Sequence, residues 1–243
     1  MIPLSDGMPG RRFPLVNVLL IVANVTVWLV YELPHLEASV THASFYPCTV
    51  SGACHGPLPW GVSWFTAMFM HGSWAHLAGN MLFLAIFGNN VEDAFGRIGY
   101  LVFYTLGGLA AVATQTAATL LAGTAAEARV PTLGASGAIA AVLGAYVVLY
   151  PRAKVFGLIA IFPVWLSAWF YLGAWFLYQL LEANAGLWSS DAAAGGVAFF
   201  AHVGGFVYGL VITRALKRSG RLEPRPPRRS TGRGDVRRSR SLA

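Results

Sequence analysis

The sequence predicts an all-α polytopic membrane protein with six transmembrane helices. Of its 243 residues, 56% are hydrophobic and only 11% are charged, whereas about a quarter of the residues in a soluble domain are charged. The charged residues lie mainly between long apolar runs, which is the pattern of helices that cross a lipid bilayer. One membrane domain accounts for this length, so a second folded core is not expected.

The six predicted spans are apolar runs separated by segments rich in proline, glycine or charge. Helix-ending signals set their limits, among them Pro34, the acidic pair at 92–93 and Pro151. The fifth run contains Pro163, which should kink the helix or mark its true start. The predicted spans are approximately residues 13–31, 74–89, 98–121, 136–149, 155–181 and 198–216.

The distribution of positive charge predicts the topology. Lys and Arg occur in segment 1–12, in the links after the second and fourth spans, and in the tail 218–243; the other loops contain only Arg129. Because cytoplasmic loops are enriched in Lys and Arg, both termini are predicted to be cytoplasmic. The loop 34–73 is then outside, and its aromatic residues favour a position in the membrane interface. Residues 13–217 form the membrane domain.

The net charge of +7 does not indicate a nucleic-acid partner. Most of the excess positive charge lies in the tail 218–243, and no folded basic surface accompanies it. We expect a disordered cytoplasmic segment near anionic lipid, and the bilayer itself as the main partner of the chain.

Two cysteines, Cys48 and Cys54, lie in the loop predicted to be outside. An oxidising compartment allows a disulfide between them. His42 and His55 are near in sequence, but the spacing of these four residues matches no zinc pattern, so no metal site is predicted.

The predicted topology brings polar residues to one level of the membrane, because the second, fourth and sixth spans all begin on the outer side. His76 and Asn80 lie in the first turns of the second span, Ser136 begins the fourth, and His202 lies in the first turns of the sixth. Three segments that are distant in sequence therefore place polar side chains in the outer third of the bilayer.

The fourth span is too short to cross the membrane completely. It rises roughly 22 Å, against about 30 Å of hydrocarbon. Ser136 should therefore lie below the outer surface, and residues 130–134 should enter the membrane without helical structure. Such backbone needs protein or a water-filled cavity around it, and Gly134 permits conformations denied to other residues.

Ser136 and His202 are the candidate catalytic pair. Ser136 alone is also consistent with a helix N-cap. If Ser136 is a nucleophile, its own backbone N–H is one of the unpaired donors at the helix start, and these donors could bind a developing oxyanion. A histidine within a span indicates function or an interhelical hydrogen bond. Gly205 and Gly209 on the sixth span, with Gly137 on the fourth, favour close packing that would bring imidazole and hydroxyl together.

His76 and Asn80 are four residues apart and share one helix face. Both side chains donate hydrogen bonds, so with the Ser136 N–H they are candidates for an oxyanion hole; the alternative is that they tie the outer loop to the helix. His71 precedes the span and is interpreted as bracing the loop. The outer halves of the three spans contain no carboxylate, which indicates a Ser–His dyad without an aspartate.

Three motifs resemble those of the rhomboid family of intramembrane serine proteases. They are His-Gly-Ser-Trp-Ala-His-Leu-Ala-Gly-Asn at 71–80, Gly-Ala-Ser-Gly at 134–137, and Ala-His-Val-Gly-Gly-Phe-Val-Tyr-Gly at 201–209. Each is weak alone, but their order on the second, fourth and sixth spans is specific. The resemblance covers about residues 13–217.

The resemblance implies a rhomboid-like bundle with a membrane-lying outer loop between the first two helices. It implies Ser136 as nucleophile, His202 as general base, and His76, Asn80 and the Ser136 N–H as oxyanion donors, with no cofactor. It also implies that the fifth span moves to admit the substrate laterally.

The sequence departs from the family pattern in two places. The Trp-Arg pair that some members carry in the first loop is absent. The tyrosine that some members place four residues after the nucleophile, stacked on the histidine, is Ala140 here. The His202 ring must then be held in another way, by Phe206 or by a residue of another helix.

The predicted function is that of an intramembrane serine endopeptidase in a prokaryotic plasma membrane. It would cleave transmembrane proteins within or near their membrane segments, at a site that opens to the extracytoplasmic side. The alternatives are a non-proteolytic rhomboid-like binder or escort of membrane proteins, and a small transporter, which should show repeated halves that the sequence lacks. The natural substrate and the oligomeric state are not determined by the sequence.

Overall fold

The computed structural model of the protein describes residues 2–8, 10–159, 161–188 and 198–222, and these are mostly helical. Short 3-10 and π-helical turns connect several of the helices. The helices are α1 (Leu15–Val27), α2 (Leu36–Ala43), α3 (Trp60–Thr66), α4 (Trp74–Phe83), α5 (Asn89–Phe95), α6 (Arg97–Ala122), α7 (Ser136–Leu149), α8 (Ala168–Trp188) and α9 (Phe199–Arg218). The strands are β1 (Ile2–Ser5), β2 (Lys154–Ile159) and β3 (Phe162–Ser167).

Three helical stretches in the described residues are long and apolar enough to cross a membrane. They are Leu15–Ala43, Arg97–Ala122 and Phe199–Arg218, and Ser136–Leu149 is a shorter apolar helix. Helices lie at the predicted positions 98–121 and 136–149 almost to the residue, because Gly96 and Gly123 flank α6 and the non-helical Tyr150 ends α7.

The first two predicted spans are extended by π-helical turns. After α1 comes a π-helical turn at Trp28–Glu32, and Pro34 lies in a 3-10 turn before α2. After α4, the turn Leu84–Gly88 leads into α5. The second helical stretch therefore continues to Phe95, beyond the predicted end at 89, and stops at Gly96, whose φ of 72° suits glycine.

The prediction of a helix over 155–181 is wrong in its first part, so the described residues are mostly helical rather than entirely helical. Strands β2 and β3 form an antiparallel hairpin, β1 pairs with β2, and the sheet order is β1-β2-β3. Phe156 lies opposite Trp165, and their rings stack with centroids 4.7 Å apart. Pro163 is on an edge strand, where a missing N–H is tolerated, whereas it would break a helix interior.

The N-terminal segment is part of the folded protein. The Asp6 carboxylate accepts hydrogen bonds from the Tyr146 hydroxyl at 2.8 Å, the Asn90 amide at 2.6 Å and the Met8 N–H at 3.1 Å. These bonds tie the segment to α5 and α7, and burial raises the pKa of Asp6. The link 189–197 and the tail from 223 onward lie outside the described residues. The division into a segment 1–12, a membrane domain 13–217 and a tail 218–243 stays a prediction.

Helix α7 forms the centre of the membrane domain. Nearly every side chain along it is buried, as expected for a helix that is apolar on all sides. It packs against α9 on one side and α6 on another. The start of this central helix, at Ser136, is therefore enclosed by protein.

Cys48 and Cys54 form a disulfide across a sequence separation of 6. Closing so short a loop stabilises a protein by about 2 kcal/mol in the chain-entropy model. We expect the double replacement by serine to lower the free energy of unfolding in detergent by about this amount. Reduction of the unmodified protein should lower the unfolding midpoint as much as the double replacement does, and reduction should not affect the double variant. If neither the replacement nor the reduction changes the midpoint, the prediction is contradicted.

Candidate functional site

The segment before Ser136 is non-helical and is held by protein, as the short fourth span predicts. Thr132 exchanges two backbone hydrogen bonds with Phe45, at 2.7 and 3.0 Å, and the Gly134 N–H donates to the Ala67 carbonyl at 2.8 Å. Gly134 has a φ of 121°, which disfavours any residue with a side chain. These contacts fix the direction from which the chain enters α7.

Ser136 and His202 are in direct contact. The His202 Nε2 lies 2.6 Å from the Ser136 Oγ, which is hydrogen-bonding distance. His202 is only 8% exposed, although it lies within one turn of the start of α9. The two residues that the sequence singled out, 66 positions apart, therefore meet at the helix starts.

Glycines allow the backbones of α7 and α9 to touch. A Cβ atom at Gly205 would overlap the carbonyl oxygen of Gly137, and one at Gly209 would overlap that of Ala141. Gly137 in turn faces the Ala111 methyl group of α6. The small residues singled out in the sequence thus set the separation of the helices that carry the serine and the histidine.

Replacement of Gly209 by alanine tests this packing. The added methyl group must push α9 away from α7, which we expect to destabilise the protein by about 1–3 kcal/mol. The matched control is Gly173→Ala on α8, where a Cβ meets nothing within 4 Å; there alanine should be neutral or stabilising by about 0.5–1 kcal/mol. The stability changes of both variants are measured as unfolding midpoints in detergent. Equal midpoints for the two variants would refute the packing argument.

His76 borders the same space as Ser136. A Cβ placed on Gly134 would lie 2.9 Å from His76 Nε2 and 3.5 Å from Ser136 Oγ, so the two atoms flank this glycine. The Gly72 N–H points at His76 Nδ1 at 3.5 Å. That contact leaves the proton on Nε2, where it can be donated toward Ser136.

Asn80 belongs to a buried hydrogen-bond network. Its amide nitrogen donates to His71 Nε2 at 3.1 Å, and His71 Nδ1–H donates to the Phe69 carbonyl at 3.2 Å. Burial lowers the pKa of His71 to about 4, which keeps this acceptor neutral. The His71 and His76 rings are 5.1 Å apart, edge to face. His71 therefore does more than brace a loop, because it holds the amide of Asn80.

Glu32 extends this network to the first span, and the sequence interpretation missed it. Its Oε1 accepts the His71 backbone N–H at 2.6 Å, and the side chain is fully buried. The missed signal was an ionisable residue at the end of an apolar run, which indicates function or a specific partner.

Trp175 of α8 was also missed. Its ring centroid lies 5.9 Å from that of His202, with the planes inclined by 39°. Phe199 approaches the same imidazole edge to face at 6.5 Å. A tryptophan within a long apolar run carries no signal of this kind, so only the packing of α8 against α9 reveals it.

A small cavity of about 20 Å³ lies beside Ser136, which is space for about one water molecule. Its walls are mostly small residues, including Gly108 and Ala111 of α6, Gly137 of α7 and Ala201 of α9. In the parts of the chain that the structure describes, no three His, Cys, Asp or Glu side chains converge in a way that would hold a metal ion. The chemistry available at this site is that of a hydroxyl and an imidazole, with nearby N–H donors.

Comparison with known proteins assigns the chain to a family. The family model described as Rhomboid domain matches residues 59–219. The chain is also 31% identical, over 157 residues, to "Rhomboid protein 1, mitochondrial" of Saccharomyces cerevisiae; the match covers 62% of this chain and 41% of the yeast protein. The chain thus spans less than half the length of that relative. With a rhomboid domain over most of its length and apolar helices long enough to cross a bilayer, the chain belongs to the rhomboid family of integral membrane proteins.

Proposed function

We propose that this protein is an intramembrane serine endopeptidase that uses Ser136 and His202 as a catalytic dyad. The observation that carries the proposal is the 2.6 Å contact between His202 Nε2 and Ser136 Oγ at the start of α7. A nucleophile within hydrogen-bond reach of a base is the arrangement that activates serine. Membership of the rhomboid family supports activity of this type.

In the proposed reaction, His202 Nε2 accepts the Ser136 proton while Oγ attacks the scissile carbonyl carbon. The imidazolium then returns the proton to the leaving amine as the C–N bond breaks, which leaves an acyl-enzyme. Water, deprotonated by His202, attacks the ester, and Ser136 recovers its proton. No cofactor is required.

A negative charge develops on the substrate oxygen when Ser136 attacks the peptide and again when water attacks the acyl-enzyme. Hydrogen-bond donors are needed to stabilise it in both steps. We assign this role to three hydrogen-bond donors: the Nε2–H of His76, which lies beside Gly134 as Ser136 does, the second N–H of the Asn80 amide, and the backbone N–H of Ser136. The last belongs to the first turn of α7, where N–H groups have no partner within the helix. Such preorganised donors act most strongly in a site from which bulk water is excluded.

For the substrate we propose a transmembrane protein that is cut within or near its membrane segment. Because the scissile carbonyl must leave its helical hydrogen bond to reach Ser136, small or helix-breaking residues near the cut are expected. The glycine and alanine walls beside Ser136 leave little room, which favours a small side chain at the cleaved position.

We further propose six membrane crossings with both termini in the cytoplasm of a plasma membrane, so that the site opens to the extracytoplasmic side. The second, fourth and fifth crossings would be formed by α4 with α5, α7 and α8. The bias of Lys and Arg supports this orientation. The Cys48–Cys54 disulfide supports it too, since it lies in the loop assigned to the oxidising side. A green fluorescent protein fused after Ala243 should be fluorescent, and alkaline phosphatase fused there should be inactive; the opposite pair of results would reverse the topology.

A fluorophosphonate probe tests the proposed function directly. It should modify Ser136 covalently in detergent, and mass spectrometry of the digested protein should locate the adduct on the peptide that contains residue 136. The same preparation should cleave a transmembrane substrate. A protein that binds membrane segments without reacting with the probe would instead be a non-proteolytic binder or escort.

A further inference from the structure

We propose that Trp175 is a positioning residue for His202: its indole holds the imidazole in line with Ser136 and stabilises the ring when it is protonated. This inference rests on the proposed role of His202 as the general base. It concerns a residue on a different helix from either member of the dyad.

The indole lies in a group of rings contributed by three helices. Its centroid is 5.9 Å from that of His202 and 6.3 Å from that of Phe206, both on α9. The ring of Phe83 on α4 lies at 6.2 Å. The indole therefore contacts rings of both α4 and α9, and one of these neighbours is the histidine of the proposed dyad.

Helix α7 supplies no ring to this imidazole. The residue one turn after Ser136 is Ala140, which is fully buried and packs against α9 near Gly205. Its methyl group is too short to cover the face of an imidazole. The aromatic support of His202 therefore comes from Phe199 on its own helix and Trp175 on α8.

The indole is also suited to the charge that develops on the histidine. When His202 takes the serine proton it becomes a cation, and a cation within about 6 Å of a tryptophan ring centroid is attracted to the π system. Because the neutral imidazole lacks this attraction, the contact favours the transition state over the ground state. Trp175 would thereby compensate in part for the absence of an aspartate.

The position of α8 then affects the geometry of the dyad. Phe176 stacks on Phe206 with centroids 4.5 Å apart and planes inclined by 19°, next to the Trp175 contact. By contrast, Trp169 and Phe170 at the start of α8 are exposed at 57% and 49%. Any displacement of α8 from α9 withdraws the indole from His202.

The test compares Trp175→Ala, Trp175→Leu and Trp175→Phe with the control Trp169→Ala. Trp169 lies on the same helix and contacts Phe170 rather than His202. The measurements are the second-order rate of labelling by a fluorophosphonate, and kcat and KM for a transmembrane substrate. A small probe reaches Ser136 without the entry of a helix, so its rate reports on the reactivity of the active site and not on substrate entry.

We expect the alanine and leucine variants to lose about tenfold in labelling rate and in kcat, with KM nearly unchanged. Phenylalanine, which keeps an aromatic face, should recover most of the loss, and Trp169→Ala should behave like the unmodified protein. Leucine keeps apolar bulk at the position, so it distinguishes loss of the ring from loss of folding.

Labelling of the alanine and leucine variants at the unmodified rate would overturn the inference. So would faster substrate cleavage with unchanged labelling, since Trp175 would then be an obstacle to the substrate. Failure of the proposed function gives a different result, because neither the unmodified protein nor any variant would then label at Ser136.

Discussion

Replacement of Ser136 by alanine is expected to lower the rate of peptide-bond cleavage by about 10⁴-fold or more. The variant has no nucleophile within reach of His202, whose Nε2 lies 2.6 Å from the missing oxygen. Replacement of His202 by alanine should cost nearly as much, since the remaining hydroxyl has no base. Because the two groups act as one unit, the double variant should be no slower than either single variant.

The measurement is the single-turnover cleavage of a transmembrane substrate in detergent, with products identified by mass spectrometry. Ser51→Ala is a matched control, because Ser51 lies in the outer loop and bonds only to the Cys48 carbonyl in the described structure. Unfolding midpoints should be similar for all variants. Cleavage that persists in either dyad variant at the unmodified rate would remove the basis of the proposed function.

Replacement of Asn80 by alanine is expected to lower kcat by about 10²–10³-fold, the usual cost of losing one oxyanion donor. The Asn80 amide is buried at 7% exposure, and one of its N–H groups is committed to His71 Nε2. We propose that the other N–H donates to the substrate oxygen. Because this bond strengthens as charge develops, the effect should appear in kcat rather than in KM.

Two further variants locate the origin of this effect. Asn80→Asp keeps the shape but replaces donors by a repelling carboxylate, so its loss should be at least as large as that of Asn80→Ala. His71→Ala should lose less, and the double variant His71→Ala/Asn80→Ala should match Asn80→Ala alone, since His71 acts through the amide. Unmodified kcat in both Asn80 variants would exclude a role in the oxyanion hole.

The helices that were predicted accurately from the sequence are bounded by residues that disfavour a helix. Helix α6 lies between Gly96 and Gly123, and α7 ends just before Tyr150 and Pro151. Both are largely apolar runs, so composition alone identifies them. The candidate residues Ser136, His202 and His76 were found for a related reason. Polar groups within apolar runs are costly in a membrane, so they indicate a function or a partner.

The hairpin of β2 and β3 could not be predicted in the same way. A short apolar run such as 154–167 fits a strand or a buried helix equally well, since periodicity does not separate the two. The strands become favourable because β1, about 150 residues earlier in the chain, satisfies one edge of β2. That pairing is a non-local event, and no window of sequence around Pro163 contains it.

The sequence by itself singled out the residues that could do chemistry and, through charge bias and span counting, predicted that they lie at one level of the membrane. Only the tertiary structure decided which side chains touch: the glycine contacts between α7 and α9 set the 2.6 Å distance of the dyad, and Glu32 and Trp175 reach the site from other helices. The reason is physical. Local sequence determines where a helix begins and ends and indicates how deep a polar residue should lie in the bilayer. Hydrogen bonds and ring contacts instead depend on packing between segments that are far apart in the chain.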